Sequence, residues 1–156
     1  MGMEIERKFL VRDDSWRPGA VGEEFCQGYC PNERSTIRVR RAGNRGYLTI
    51  KGKTVGCSRH EYEYAIPPED AEELLELICS RPYIRKTRYK VEYHGKRWEI
   101  DVFAGDNAGL IMAEIELTGE DEPFDLPSWA GEEVTGDPRY YNSQLAVNPF
   151  TRWPKS

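Results

Sequence analysis

The chain has 156 residues, of which 38% are hydrophobic and 31% charged, and its net charge at pH 7 is −5. This length suits one ordinary core, so we expect a single domain over residues 1–156. The negative charge argues against nonspecific binding to nucleic acid, and no apolar run approaches the roughly 20 residues of a membrane helix. The N-terminus also lacks the apolar segment of a signal peptide, which favours a soluble, cytoplasmic protein.

Short segments that alternate polar and apolar residues, separated by turn residues, predict an antiparallel β protein. In chain order, we place the eight strands at 3–11, 24–29, 35–41, 46–51, 58–66, 84–93, 96–103 and 110–118. A helix is predicted over 67–81, where prolines begin the segment, acids follow, and apolar residues recur at helical spacing. A shorter helix is predicted in DPRYYNSQLA, with Asp137 as its N-cap and Pro138 as its first residue.

Seven of these eight strands carry a charged face, and in six of them charged residues recur at alternate positions. The charged residues of these faces are Glu4, Glu6 and Lys8; Arg38 and Arg40; Lys51; Glu61 and Glu63; Lys86, Arg88 and Lys90; Glu99 and Asp101; and Glu114 and Glu116. For any single strand, a solvated face is the simpler interpretation. Like charges repeated along one face repel each other, however, so the pattern favours a bound group of opposite charge.

Eight antiparallel strands can close into a barrel that is wide enough for one small ligand. If the strands close in this way with their charged faces inward, the fold is mainly β (α+β), an eight-stranded antiparallel closed barrel with a few peripheral helices. Arg and Lys side chains suit phosphate oxygens, whereas clustered carboxylates suit hard cations such as Mg²⁺. The pattern predicts a metal–polyphosphate site inside the barrel.

The motif Glu-x-Glu-x-Lys at residues 4–8 resembles that of the CYTH superfamily, the triphosphate tunnel metalloenzymes. The segments TIRVRR, LTIKGK, EYEYAI, IRKTRY, WEIDVF, AEIEL and VTGDPRYYNSQLA follow in the order that this family shows. The resemblance thus spans nearly the whole chain. It implies an eight-stranded tunnel that acts on triphosphate compounds with Mg²⁺ or Mn²⁺, and we expect two ions.

The resemblance also implies roles for individual residues. The implied metal ligands are Glu4, Glu6, Glu61, Glu63, Asp101, Glu114 and Glu116. The implied triphosphate ligands are Lys8, Arg38, Arg40, Lys51, Lys86 and Arg88. Glu4, Glu6 and Lys86 are the catalytic candidates, with Lys86 assisting proton transfer or polarising the attacking water. Lys53, Arg59 and Lys90 fit this pattern less well.

We expect in-line attack of a metal-activated water on inorganic tripolyphosphate, with pyrophosphate and phosphate as products. No long insertion offers a base-binding pocket, which favours this compact substrate. Thiamine triphosphate or a nucleoside triphosphate is the alternative, because Trp16, Trp129 or Trp153 could stack on an organic ring, although packing is their simpler role. An adenylyl cyclase or a noncatalytic polyphosphate-binding module also remains open. The sequence does not indicate an oligomeric state.

Overall fold

The computed structural model describes residues 2–154, and within them nine strands form one sheet. The strands are β1 Met3–Val11, β2 Gly22–Cys30, β3 Thr36–Ala42, β4 Arg45–Lys51, β5 Ser58–Ile66, β6 Ser80–Tyr93, β7 Lys96–Phe103, β8 Ile111–Glu116 and β9 Ala130–Glu133. Helix α1 spans Pro68–Leu77, and helix α2 spans Asn142–Val147. Neither helix is long and apolar enough to cross a membrane, as judged on the described residues.

The eight predicted strands close into the predicted antiparallel barrel. Their order is β5-β4-β3-β2-β6-β7-β8-β1, and β1 pairs in turn with β5. Two strands pair with the same edge of β1. Met3 lies opposite His60 of β5, whereas Phe9 lies opposite Glu133 of β9. The short strand β9 was not predicted, and it extends the wall where β5 has ended.

The predicted helix over 67–81 was too long, since α1 ends at Leu77 and Ser80 already belongs to β6. Ser80 pairs with Tyr29 of β2, and a residue that precedes proline, as Arg81 does, disfavours the helical conformation. The segment DPRYYNSQLA is also divided. Asp137 caps a short 3₁₀ turn at Pro138–Tyr140, and α2 begins only after Tyr141.

The largest hydrophobic cluster lies outside the barrel, and we call it the outer core. Its buried members are Phe9, Trp16, Trp98, Ile100, Ala113, Ile115, Leu117, Trp129 and Ala130. The Trp98 ring lies 5.4 Å from that of Trp129 and 5.7 Å from that of Phe9, measured between centroids. Trp16 and Trp129 bring the segments after β1 and β8 into this cluster, on the outer face of the sheet.

A second cluster ends the barrel interior on one side, and we call it the apolar floor. Its buried members are Ile84, Phe103, Leu110, Met112, Val134, Tyr140, Leu145 and Ala146. Ile84, Phe103 and Met112 face inward, because each stands two residues beyond an inward charged residue of its strand. Leu145 and Ala146 bring α2 onto this floor, so the charged interior stops where α2 packs.

Candidate active site

The barrel encloses a cavity of about 260 Å³ whose wall is formed mainly by charged side chains. The predicted site residues all line this cavity except Asp101, which is buried behind the wall. The lining acids are Glu4, Glu6, Glu23, Glu61, Glu63, Glu99, Glu114 and Glu116. The lining bases are Lys8, Arg38, Arg40, Arg45, Lys51, Arg59, Lys86, Arg88 and Lys90. The charged faces of the predicted strands therefore do point inward.

Asp101 holds two of the cavity cations. Its Oδ2 lies 2.7 Å from Lys86 Nζ, and its Oδ1 lies 2.8 Å from Arg88 Nε. Burial alone raises the pKa of Asp101, but Arg88 and Lys86 outweigh it and bring the value to about 2. Both oxygens of this carboxylate accept hydrogen bonds from cations, so Asp101 fixes the positions of Lys86 and Arg88.

The cations beside Asp101 are crowded. Burial, together with Arg88 and Arg40, lowers the pKa of Lys86 to about 7 despite the attraction of Asp101. Burial and the like charges of Arg38 and Arg88 lower the pKa of Arg40 to about 9, which leaves it protonated at neutral pH. Cations that destabilise one another in this way attract an anion strongly.

Carboxylates crowd a neighbouring part of the wall. Glu6 lies opposite Glu116 on the paired strands β1 and β8, and Lys8 lies opposite Glu114. Burial, Glu114 and Glu4 hold the pKa of Glu6 well above its usual value. Burial opposes ionisation of Glu114 too, but Lys8 and Arg88 hold its pKa well below the usual value. Glu6 therefore keeps its proton more readily than Glu114 does.

Several acids of the wall are paired with its bases. Lys51 Nζ lies 3.0 Å from Glu4 Oε2 and 3.3 Å from Glu61 Oε2. Arg59 Nε lies 3.3 Å from Glu4 Oε1, and Arg38 Nη2 lies 3.3 Å from Glu63 Oε1. In this arrangement, no three His, Cys, Asp or Glu side chains within residues 2–154 converge closely enough to hold a metal ion.

Some lining residues escaped the sequence-based prediction. Glu99 shares the inward face of β7 with Asp101 and lies 3.5 Å from Arg88, so its alternation was the signal that could have found it. Arg59 and Lys90, which fitted less well, do line the cavity. Gln27 is fully buried and accepts a hydrogen bond from Arg40 Nε, but a single neutral amide in a strand carries no charge pattern.

The three tryptophans considered for stacking do not line the cavity. Trp16 and Trp129 are buried in the outer core, and the Trp153 ring packs against Tyr140 and Phe150. Packing is therefore their role in this structure. Lys53 is likewise outside the cavity lining in the described part of the chain.

Two proteins and one solved structure are similar to this chain. It is 50% identical over 151 residues to an inorganic triphosphatase of Acetivibrio thermocellus, an alignment that covers 96% of this chain and 97% of that protein. It is 38% identical to an inorganic triphosphatase of Nitrosomonas europaea, over 93% of this chain and 97% of that protein. The crystal structure of the inorganic triphosphatase NE1496 superposes with a TM-score of 0.68 at 36% identity, covering 94% of this chain and 96% of that one.

The model of the CYTH domain matches residues 2–141, which include all nine strands of the sheet. The match and the closed barrel with its inward charges agree with the resemblance carried by the Glu-x-Glu-x-Lys motif. The chain belongs to the CYTH domain family.

Proposed function

We propose that this chain is a divalent-metal-dependent inorganic triphosphatase, which hydrolyses tripolyphosphate to pyrophosphate and phosphate. The observation that carries the proposal is the cavity wall, where a crowded set of cations adjoins a crowded set of carboxylates. The names of the relatives from Acetivibrio thermocellus and Nitrosomonas europaea support the same activity.

The cations would bind the phosphate chain. Guanidinium groups such as those of Arg38, Arg40 and Arg88 donate paired hydrogen bonds to phosphate oxygens, and Lys8 and Lys51 supply compact positive charge. Phosphoryl transfer depends mainly on positioning and on neutralising charge, so a preorganised cationic wall is what this chemistry requires. Asp101, already engaged with Lys86 and Arg88, would hold these two cations in place rather than ligate a metal.

The acids would bind the metal. Carboxylate oxygens are the ligands that Mg²⁺ and Mn²⁺ prefer, and a cation would offset both the burial and the repulsion by Glu114 and Glu4 that raise the pKa of Glu6. We assign Glu4, Glu6, Glu114 and Glu116 to one or two ions, with Glu61 and Glu63 as further ligands. A bound divalent ion would neutralise phosphate charge and lower the pKa of a water.

The present ion pairs suggest how the two sets cooperate. Lys51 now contacts both Glu4 and Glu61. When Lys51 binds phosphate oxygens instead, Glu61 loses its partner and Glu4 keeps only Arg59, so both carboxylates become more available to a cation. Substrate and metal would therefore favour each other's binding.

Lys86 is the residue that we propose to act on the proton of the attacking water. Its pKa of about 7 lets it gain or lose a proton near neutral pH, and it faces the cavity. Two of its three N–H bonds point to Asp101 and Asn142, which leaves one for the cavity.

Release of phosphate from a panel of substrates tests the function. We expect turnover of tripolyphosphate with Mg²⁺ or Mn²⁺, no turnover with a chelator, and slower turnover of ATP and thiamine triphosphate, because the cavity is lined mainly by charged side chains. Absence of tripolyphosphate hydrolysis with either metal would refute the proposal. Faster hydrolysis of ATP or thiamine triphosphate would instead overturn the choice of substrate.

A further inference from the structure

A chain of neutral side chains joins two cations of the cavity. Arg40 Nε donates to Gln27 Oε1 at 2.8 Å, and Gln27 Nε2 donates to Asn142 Oδ1 at 3.2 Å. Lys86 Nζ donates to the same Asn142 oxygen at 2.8 Å. Asn142 is the first residue of α2, so this chain also ties α2 to the inner surface of β2 and β6.

The chemistry of the partners fixes both amide orientations. An Arg Nε–H can only donate, so an oxygen must face Arg40, and the Gln27 amide nitrogen that then points to Asn142 must in turn meet an oxygen. The oxygen of Gln27 therefore faces Arg40, and that of Asn142 faces Lys86. The Gln27 nitrogen is then directed at Asn142 Oδ1 and at Tyr29 Oη, which lies 2.7 Å away. Reversing either amide would place N–H groups against N–H groups.

The amide nitrogen of Asn142 is consequently directed away from Lys86 and Gln27. It carries two N–H bonds, and within residues 2–154 neither of them finds a protein acceptor. Asn142 is only partly buried and lines the cavity. A polar donor with a fixed orientation, and with no protein acceptor among the described residues, can donate to an oxygen of a ligand in the cavity.

Asn142 also stands where the charged wall ends. Leu145, three residues further along α2, is fully buried in the apolar floor, and Ile84 of the floor is two residues from Lys86. A phosphate group cannot enter the floor without losing its hydration, so a bound chain ends at this level. A neutral donor here adds a hydrogen bond without adding positive charge next to Lys86.

We infer that Asn142 Nδ2 donates a hydrogen bond to an oxygen of the phosphate group nearest the apolar floor. This inference rests on the proposed function, since it requires a triphosphate in the cavity. Asn142 would be the uncharged member of a substrate-binding set that is otherwise basic, and it would set how deep the phosphate chain lies.

Calorimetric titration with sodium tripolyphosphate, in the presence of a chelator, compares the wild type with three variants. Asn142→Ala removes the donor, and we expect the dissociation constant to rise about 10-fold or more, as for hydrogen bonds to charged groups. Asn142→Asp keeps the acceptor for Lys86 and Gln27 but loses the donor, so we expect weaker binding at an unchanged thermal midpoint. Asn148→Asp is the matched control, because it adds the same charge at the exposed end of α2, and its affinity should stay within about 2-fold of wild type.

The outcomes separate this inference from the proposed function. If the wild type does not bind tripolyphosphate, the inference about Asn142 is refuted, whereas the proposed function is refuted only by the absence of metal-dependent hydrolysis. If the wild type binds and Asn142→Ala binds equally well, only the role of Asn142 is refuted. A crystal structure of the wild type with tripolyphosphate supplies a test that is independent of variant folding. Asn142 Nδ2 within about 3.2 Å of a phosphate oxygen supports the inference, and a separation beyond about 3.5 Å from every one overturns it.

Discussion

The cavity wall and the outer core are built from alternate residues of the same strands, and they meet opposite demands. In β1, Glu6 and Lys8 face the cavity while Phe9 packs in the outer core. In β8, Glu114 and Ile115 divide in the same way. Buried like charges cost free energy, whereas buried apolar area stabilises the fold. The barrel thus keeps its largest hydrophobic cluster on the outside and, apart from the apolar floor, leaves its interior for charged chemistry.

Removing an acid from the wall should give the largest loss of activity. For Glu6→Ala or Glu114→Ala we expect metal-dependent hydrolysis of tripolyphosphate to fall by at least about 10³-fold, as when a group that stabilises transition-state charge is lost. The thermal midpoint of Glu6→Ala should not fall, because repulsion within the wall decreases. Phosphate release and thermal unfolding, measured on the same samples, check both statements. Intact turnover in either variant would contradict the assignment of these acids.

A truncation in the outer core should show the reverse pattern. Trp98 is fully buried between Phe9 and Trp129, so Trp98→Ala should reduce the free energy of unfolding by about 3–5 kcal/mol. Urea denaturation gives that value, and kcat of the folded fraction, measured well below the midpoint, should stay close to wild type. A large fall in kcat without loss of stability would contradict the claim that the outer core stabilises the fold and takes no part in catalysis.

Within the wall, a cation should affect binding more than turnover. Arg38→Ala removes charge-assisted hydrogen bonds to phosphate, so we expect KM for tripolyphosphate to rise by about 10- to 100-fold with a smaller change in kcat. Steady-state kinetics at saturating metal measure the split. A fall in kcat at unchanged KM would instead place Arg38 in the chemical step.

The smallest effect that we predict concerns acid stability. The pKa of Asp101 is about 2 in the folded chain, below its ordinary value of 3.8, so its ionisation stabilises the fold above about pH 4. That contribution, about 2 kcal/mol, is lost as the pH falls from about 4 to 2. Urea denaturation between those values should show a steeper fall for wild type than for Asp101→Asn. Equal slopes would mean that the pairing with Lys86 and Arg88 adds nothing.

The alternation of charges, taken together with the resemblance to the CYTH superfamily, predicted the barrel and its inward faces. Glu4, Glu6 and Lys8 carry this signal because the period of a strand is two, and a barrel allows only one interior. The strand β9 escaped prediction because Ala130–Glu133 is four residues long and shows no clean alternation.

The partners of individual charges could not be predicted in the same way. Asp101 was predicted to be a metal ligand. Its pairing with Arg88 depends on the register of β6 and β7, which cannot be read from the sequence. The apolar floor was missed for a related reason. Ile84 and Met112 follow the inward parity of their strands, but only packing against α2 shows that they end the cavity.

The most direct test of the central claim is a crystal structure with tripolyphosphate and Mn²⁺, with the metal located by its anomalous scattering. We predict the phosphate chain on Arg38, Arg40, Lys86 and Arg88, and Mn²⁺ between that chain and the carboxylates of Glu4, Glu6, Glu114 and Glu116. Tripolyphosphate or Mn²⁺ bound only outside the barrel would contradict the assignment of the charged cavity as the active site.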